Sequence, residues 1–189
     1  MALTLFSRTR TAPEHTPQSW PEIGETWKPE GVTIVERYYN LAHAVVLVYS
    51  TDSDGYYHSI ACLGCHYLVT RDNNRNRTYA DRLKLSDAAE LANAHASTCR
   101  ALPRKIPARP DEDAARHLFR EWVLGIPRRD EDRYLSLADF DSGRLELQRS
   151  NEWMYAELDA LAAERGDVLS AKPSEYSPSI EYKILRSPS

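Results

Sequence analysis

The chain has 189 residues, a hydrophobic fraction of 42%, a charged fraction of 28% and a formal net charge of −4, which suits one domain of ordinary size or a small domain with a helical extension. Its longest apolar run, residues 41–49, is interrupted by His43 and is much shorter than the roughly 20 residues of a transmembrane helix. Composition therefore excludes membrane-spanning, collagen-like and disulfide-scaffold proteins. The first residues have no stretch typical of a secretory signal, so we expect a cytoplasmic protein.

An extended arm is predicted at the start of the chain. Residues 1–30 hold four prolines, whose spacing prevents helix formation. Trp20 and Trp27 are expected to pack this arm on the domain. Regular structure is expected to begin near Gly31, where alternating apolar and polar residues predict a first strand.

A β-hairpin is predicted next. Residues 43–51 are rich in β-branched side chains, which favours a second strand. The Asp-Ser-Asp-Gly sequence at 52–55 is typical of a turn, because glycine adopts positive φ freely and aspartate hydrogen-bonds to the nearby backbone. Residues 56–61 predict the antiparallel partner strand, which leads directly into Cys62.

Helices are predicted in the rest of the chain. Residues 86–100 begin with a serine that can serve as N-cap and predict the first helix. The second helix is expected at 111–125 and the third at 150–165, each with apolar residues at helical spacing. A short helix is expected at 134–140 and one strand at 180–185.

Positive charge is concentrated in the middle of the chain. Residues 62–110 carry nine basic and four acidic side chains, whereas the segments before and after them are net acidic. Local charge of this kind attracts phosphate groups within a Debye length of about 8–10 Å. Pairing of the arginines with the acidic C-terminal half is the alternative. The candidate nucleic-acid contacts are Arg71, Arg75, Arg77, Arg100, Arg104 and Lys105.

The three cysteines lie in this basic segment and form a metal-ligand pattern with one histidine. Cys62 and Cys65 make a C-x-x-C turn, and His95 and Cys99 are four residues apart, hence on one face of the predicted helix. Thiolates and neutral imidazole are the ligands that zinc prefers, and four of them close its coordination sphere. The pattern predicts a structural Zn²⁺ ion held by Cys62, Cys65, His95 and Cys99.

Other interpretations of these residues stay open. Free cysteines are among the most buried residue types, so the same spacing can occur by chance in an ordinary core. A C-x-x-C pair can also be a redox dithiol, although such pairs are expected near a βαβ unit. His58, and after it His66, are the alternatives to His95 as the fourth ligand, because both lie close to the cysteines in the sequence.

The hairpin, the C-x-x-C turn and the helix-borne H-x-x-x-C resemble a zinc finger of the CCHC ligand type over residues 42–100. The resemblance implies a structural metal in a ββα-like unit. The chain departs from an ordinary ββα finger because 29 residues separate Cys65 from His95, where about 12 are usual, and because the last ligand is a cysteine. This insertion holds the arginine loop.

The expected fold is α+β, with a small antiparallel sheet or hairpin and a zinc-clasped helix, followed by a helical C-terminal part. The expected division is an extended arm at 1–30, a zinc-binding domain at 31–102, a linker at 103–110, a helical region at 111–168 and a tail at 169–189. The linker contains three prolines, which makes it stiff.

Two functions are compatible with these features. The first is a small zinc-binding accessory or regulatory protein that contacts nucleic acid through its basic loop. The second is a zinc-scaffolded protein-interaction module that docks a partner on its helical C-terminal region, without nucleic acid. An enzyme is not expected, because the chain has no H-E-x-x-H, G-x-S-x-G, glycine-rich phosphate loop or deaminase pattern. Its many Arg and Ala and few Lys resemble proteins of GC-rich bacteria, which predicts a bacterial source.

Overall fold

The computed structural model describes residues 24–52, 54–72, 83–174 and 179–187. Within these ranges the chain has a mixed α+β fold with two antiparallel sheets and four α-helices, which confirms the predicted fold class.

The first sheet has the order β1-β2-β3-β4, with strands at Thr33–Tyr39, Val45–Ser50, Ser59–Cys62 and Leu68–Val69. The second sheet has the order β5-β7-β6, with strands at Arg133–Leu135, Ile180–Ile184 and Leu169–Pro173. The helices are α1 at Leu85–Thr98, α2 at Glu112–Leu124, α3 at Arg144–Leu147 and α4 at Asn151–Glu164, with a 3₁₀ helix at Leu137–Gly143.

The first sheet is built around β2, in which every residue is buried. Its successive side chains point to opposite faces, so Val46 and Val48 pack towards α1 while Val45 and Leu47 pack in a separate cluster on the other face. Pairing of β2 with β3 sets Val46 opposite Cys62. The hairpin register therefore places the first cysteine beside the strand that supports α1.

Helix α1 lies on this sheet through small side chains. Ala88, Ala92 and Ala96 are buried and recur every four residues, which lines up one helix face. Methyl side chains let the helix backbone approach the sheet closely. The helix face that carries His95 and Cys99 is thereby held beside the end of the hairpin.

Three predicted boundaries in this region are wrong. Strand β3 begins at Ser59 and not at Tyr56. Helix α1 begins at Leu85 with Lys84 as N-cap, and not at Ser86. Leu83, the residue before this N-cap, is buried in the core and fixes the position of the chain there. Strand β2 begins at Val45 and not at His43, whose φ is 62°.

The C-terminal half has its own core. Phe119 of α2 is fully buried and packs edge-on against Phe140, with ring centroids 5.0 Å apart. The predicted starts of α2 and α4 are confirmed to within one residue, and each helix has a side-chain N-cap: Asp111 accepts the N–H of Ala114 and Ser150 accepts the N–H of Trp153. Helix α2 ends at Leu124, and Gly125 is its C-cap, as the predicted stop at this glycine implies.

The second sheet differs from the sequence prediction. The short helix expected at 134–140 is instead β5 followed by the 3₁₀ helix, and β6 lies in the segment predicted as a tail. The strand predicted at 180–185 is confirmed as β7, which pairs with both β5 and β6. Short edge strands of this kind are held by their partner, and their own sequence carries little periodic signal.

A buried polar network joins the two halves. Asp141 is 1% exposed, accepts the Thr51 hydroxyl at 2.7 Å and forms an ion pair with Arg71. Burial raises the pKa of Asp141, while the bonds from Arg71 and Thr51 oppose that shift. The buried Arg144 donates to the carbonyl of Gly31 at 2.8 Å. Ordered contacts therefore continue across the predicted linker boundary.

In the arm, Trp27 packs against the first sheet as expected, whereas Trp20 lies outside the described residues. None of the helices in the described ranges combines the length and the apolar character that crossing a membrane requires.

Candidate metal centre

The structure brings all four predicted ligands together. The ligand atoms of Cys62, Cys65, His95 and Cys99 lie within 4.8 Å of one another. Cys65 Sγ is 3.9 Å from Cys99 Sγ and 3.4 Å from His95 Nε2. A tetrahedral ion with Zn–S bonds of about 2.3 Å separates two sulfurs by about 3.8 Å, and a sulfur and a nitrogen by about 3.5 Å. The four side chains could thus hold one metal ion.

Local structure explains how each pair converges. Cys62 ends β3 and Cys65 lies in the turn that follows, while His95 occupies the last turn of α1 and Cys99 is its C-cap. Gly64 is required between the cysteines, because a Cβ there would lie 2.7 Å from the Ala44 Cβ and 2.9 Å from a backbone oxygen. The turn can therefore pack directly against the chain that leaves α1.

Backbone N–H groups point at the sulfurs of the turn. The N–H of Gly64 donates to Cys62 Sγ and the N–H of Tyr67 to Cys65 Sγ, each at 3.4 Å. Donors of this kind stabilise the thiolate, which is the form that binds metal. The turn is preorganised for two anionic sulfurs.

Asn40 supplies a further donor that the sequence analysis missed. Its side-chain amide, in a residue only 4% exposed, donates to Cys99 Sγ at 3.3 Å and to the carbonyl of Ala101 at 2.8 Å. Its Oδ1 accepts the N–H groups of Ala42 and Ala44. One side chain thus shapes the β1–β2 turn and orients the fourth ligand. The sequence offers no signal for this role, since Asn40 is 59 residues from Cys99.

His95 is held in a fixed orientation. Its ring stacks on Tyr67 with centroids 4.0 Å apart and an interplanar angle of 8°. Burial lowers the pKa of His95, which favours the neutral imidazole that a metal requires. Its Nε2 atom faces the sulfur of Cys65.

The two alternative histidines are directed elsewhere. His58 Nδ1 lies 3.3 Å from the carbonyl oxygen of Leu83, and His66 Nδ1 lies 3.3 Å from Arg104 Nη1. Neither belongs to the ligand cluster found in the described part of the chain. His95 is therefore the histidine that the fold presents to the cysteines.

The cysteines differ in their surroundings. Burial raises the pKa of Cys62 to about 11, against the opposing effect of the N–H groups of Gly64 and Cys65. Burial also disfavours the Cys99 thiolate, but hydrogen bonds from the Ala101 N–H, the Asn40 amide and the other two cysteines together outweigh it and lower the pKa of Cys99. A divalent cation would supply the charge that the Cys62 sulfur needs to ionise.

The candidate nucleic-acid contacts have diverse environments. Arg71 forms an ion pair with Asp141, and its guanidinium also stacks on Tyr57, 4.4 Å from the ring centroid. Arg75 and Arg77 lie outside the described residues. The remaining three, Arg100, Arg104 and Lys105, are exposed. Arg100 directly follows Cys99, Arg104 donates to the carbonyl of Cys65, and Lys105 lines the same cavity as Cys62 and Cys65.

Comparisons with protein-family models, with curated proteins and with solved structures give no significant match.

Proposed function

We propose that Cys62, Cys65, His95 and Cys99 hold a structural Zn²⁺ ion, and that the protein is a non-enzymatic accessory or regulatory protein organised by this ion. The observation that carries the proposal is the convergence of the four ligand atoms within 4.8 Å of one another, in which one S–S distance of 3.9 Å and one S–N distance of 3.4 Å are close to the edges of a zinc tetrahedron. Three thiolates and one imidazole also leave no open coordination position for a substrate.

The ion would fasten the hairpin to α1. The face of α1 that meets the sheet consists of alanines, which bury little apolar surface. Structural zinc contributes about 10–16 kcal/mol of apparent binding free energy, which is comparable to the whole stability of a domain.

The zinc proposal predicts a specific difference between histidine variants. We expect His95→Ala to lose most bound zinc or to bind it at least about 100-fold more weakly, because it removes one of four ligands. His58→Ala is the matched control and should keep one zinc per chain. Zinc content after gel filtration and competition with a chelating dye measure both. Equal zinc content in the two variants would contradict the assignment.

We propose that the exposed cations near the metal contact nucleic acid. A zinc ion with three thiolates carries one net negative charge, and Arg104, which donates to the Cys65 carbonyl at 2.8 Å, lies beside it. Arg100 and Lys105 extend the positive surface, and Arg75 and Arg77 belong to the same segment of sequence. Guanidinium groups suit phosphate because they form bidentate hydrogen bonds.

If these five cations each neutralise a phosphate, the logarithm of the binding constant on duplex DNA should fall with the logarithm of the salt concentration, with a slope of about −4.5. We expect Arg100→Ala combined with Lys105→Ala to reduce the slope by about 1.8, whereas Lys172→Ala on β6 should leave it unchanged. Fluorescence anisotropy at several salt concentrations measures the slope. Absence of any binding to duplex DNA at low ionic strength would contradict this proposal.

A protein-interaction module is the second candidate, favoured by two exposed leucines near the metal site. Leu41 and Leu102 are 58% and 75% exposed, and the N–H of Leu41 donates to the carbonyl of Cys99. The salt titration separates the candidates, because docking through apolar side chains responds little to salt. The cytoplasmic location and the bacterial source stay predictions.

A further inference from the structure

A cavity of about 510 Å³ opens beside the metal-ligand cluster, between the end of the hairpin and helix α3. This volume falls in the range of small-molecule sites, about 300–1,000 Å³. Its apolar part includes Trp27, Leu68 and Leu145, of which the first two are half-buried. A flat ring could lie against this surface.

The cavity has positively charged groups in its lining. The Arg104 guanidinium is fixed in direction, since Nη2 donates to the carbonyl of Cys65 at 2.8 Å and Nη1 lies 3.3 Å from His66 Nδ1. Lys105 is exposed beside it. Two cations at one place suit a phosphate group, and the fixed guanidinium loses little conformational freedom on binding.

Polar acceptors from another part of the chain also line the cavity. Glu146 of α3 and Ser142 of the 3₁₀ helix contribute to its wall, and both are exposed. An ionised carboxylate only accepts hydrogen bonds. The cavity therefore combines an apolar surface with groups for an anion and a separate acceptor for N–H donors.

We propose that this cavity binds one nucleotide, with the phosphate on Arg104 and Lys105 and the base against Trp27 and Leu145. Glu146 then accepts N–H groups from the edge of the base, which favours guanine over adenine because only guanine presents two adjacent N–H donors on its pairing edge. Bases bind apolar and aromatic surfaces in this manner in many single-strand-binding proteins. The inference rests on the proposed function, since a nucleotide within a single strand supplies this chemistry, and a free nucleotide supplies it equally.

The test uses the full-length, zinc-loaded protein. Isothermal titration would be performed with GMP, AMP, guanosine and inorganic phosphate, and with single-stranded tetranucleotides of guanine or adenine. We expect GMP to bind about tenfold more tightly than AMP, as one bidentate contact provides, and guanosine to bind more weakly than GMP. Tighter binding of the guanine tetranucleotide than of GMP would identify a strand as the source; equal binding would identify the free nucleotide.

Two variants examine the separate ends of the cavity. Glu146→Gln should abolish the preference for guanine, and Lys105→Ala should weaken GMP severalfold while leaving guanosine unchanged. Arg104 is unsuitable, because its hydrogen bonds also support the C-x-x-C turn. Glu131→Gln and Lys172→Ala, outside the cavity, are the matched controls.

The outcomes distinguish this inference from the proposed function. Salt-dependent DNA binding without GMP binding, or with a base preference that Glu146→Gln does not change, overturns the nucleotide site and leaves the proposed function standing. GMP binding with the expected variant effects but no DNA binding supports the site and overturns the nucleic-acid proposal. Absence of both overturns both.

Discussion

Removal of zinc is expected to unfold the first sheet and α1 while α2 and α4 keep their structure. The sheet and α1 share one apolar cluster, which includes Cys62 and the alanine face of the helix, and zinc would add about 10–16 kcal/mol to it. The C-terminal half has a separate core, and none of the four candidate metal ligands belongs to it. Hydrogen exchange followed by mass spectrometry, before and after chelation, measures the protection of each segment.

The expected pattern is loss of protection in Val45–Ser50 and Leu85–Thr98, with protection retained in Glu112–Leu124 and Asn151–Glu164. Return of zinc should restore protection, and magnesium should not, because Mg²⁺ prefers oxygen ligands. The Cys62→Ala, Cys99→Ala double variant should resemble the chelated protein. Full protection of α1 in that variant, with no zinc bound, would show that the cluster is an ordinary core.

Phe119→Ala is expected to destabilise the C-terminal half by about 3–5 kcal/mol. Phe119 is completely buried and contacts Phe140 and Trp153, whose ring centroids lie 5.0 and 6.0 Å away. Truncation removes these contacts and leaves a cavity that neighbouring rings fill only in part. Thermal unfolding should show a midpoint lower by roughly 6–20 °C for a chain of this length.

Leu124→Ala is the matched control for this variant. Leu124 ends the same helix but is 42% exposed, so its truncation should change stability by less than about 1 kcal/mol. Both variants should keep one zinc per chain under native conditions, since Phe119 belongs to a cluster without ligands. A loss of zinc in Phe119→Ala would mean that the two halves fold as one unit through Asp141.

The elements with strong local signals were predictable from the sequence. Helices α2 and α4 combine side-chain N-caps with apolar residues at helical spacing, and the structure places their ends within a residue or two of the predicted positions. The β2–β3 hairpin follows from β-branched residues and a glycine-containing turn. Each of these signals depends on residues close together along the chain.

The elements that depend on distant contacts were not predictable. Strands β5 and β6 are held by pairing with β7, and β6 lies in the segment expected to be a tail. Helix α1 begins before its serine because Leu83 is buried in the core. In both cases tertiary packing determines a boundary that local preference places elsewhere.

For the candidate site, the residue types and their spacing predicted the metal ligands. They did not predict the residues that contact and orient these ligands. The C-x-x-C and H-x-x-x-C spacings identified four side chains that the structure brings together. The Asn40 amide and the Tyr67 ring act only through space, and the pairing of Arg71 with Asp141 spans 70 residues. A hydrogen bond between distant residues leaves no pattern in a single sequence.

The two ligand pairs tolerate changes in chain length very differently. The 29 residues between Cys65 and His95 include β4 and most of α1, so added length fits only in the connection between these two elements. Doubling the length of a loop costs in general only about 0.6 kcal/mol of closure entropy. One residue inserted between His95 and Cys99 would instead turn one ligand about 100° around the helix axis, since a helix has 3.6 residues per turn. Relatives of this chain should therefore vary in length mainly between β4 and α1, with both ligand spacings unchanged.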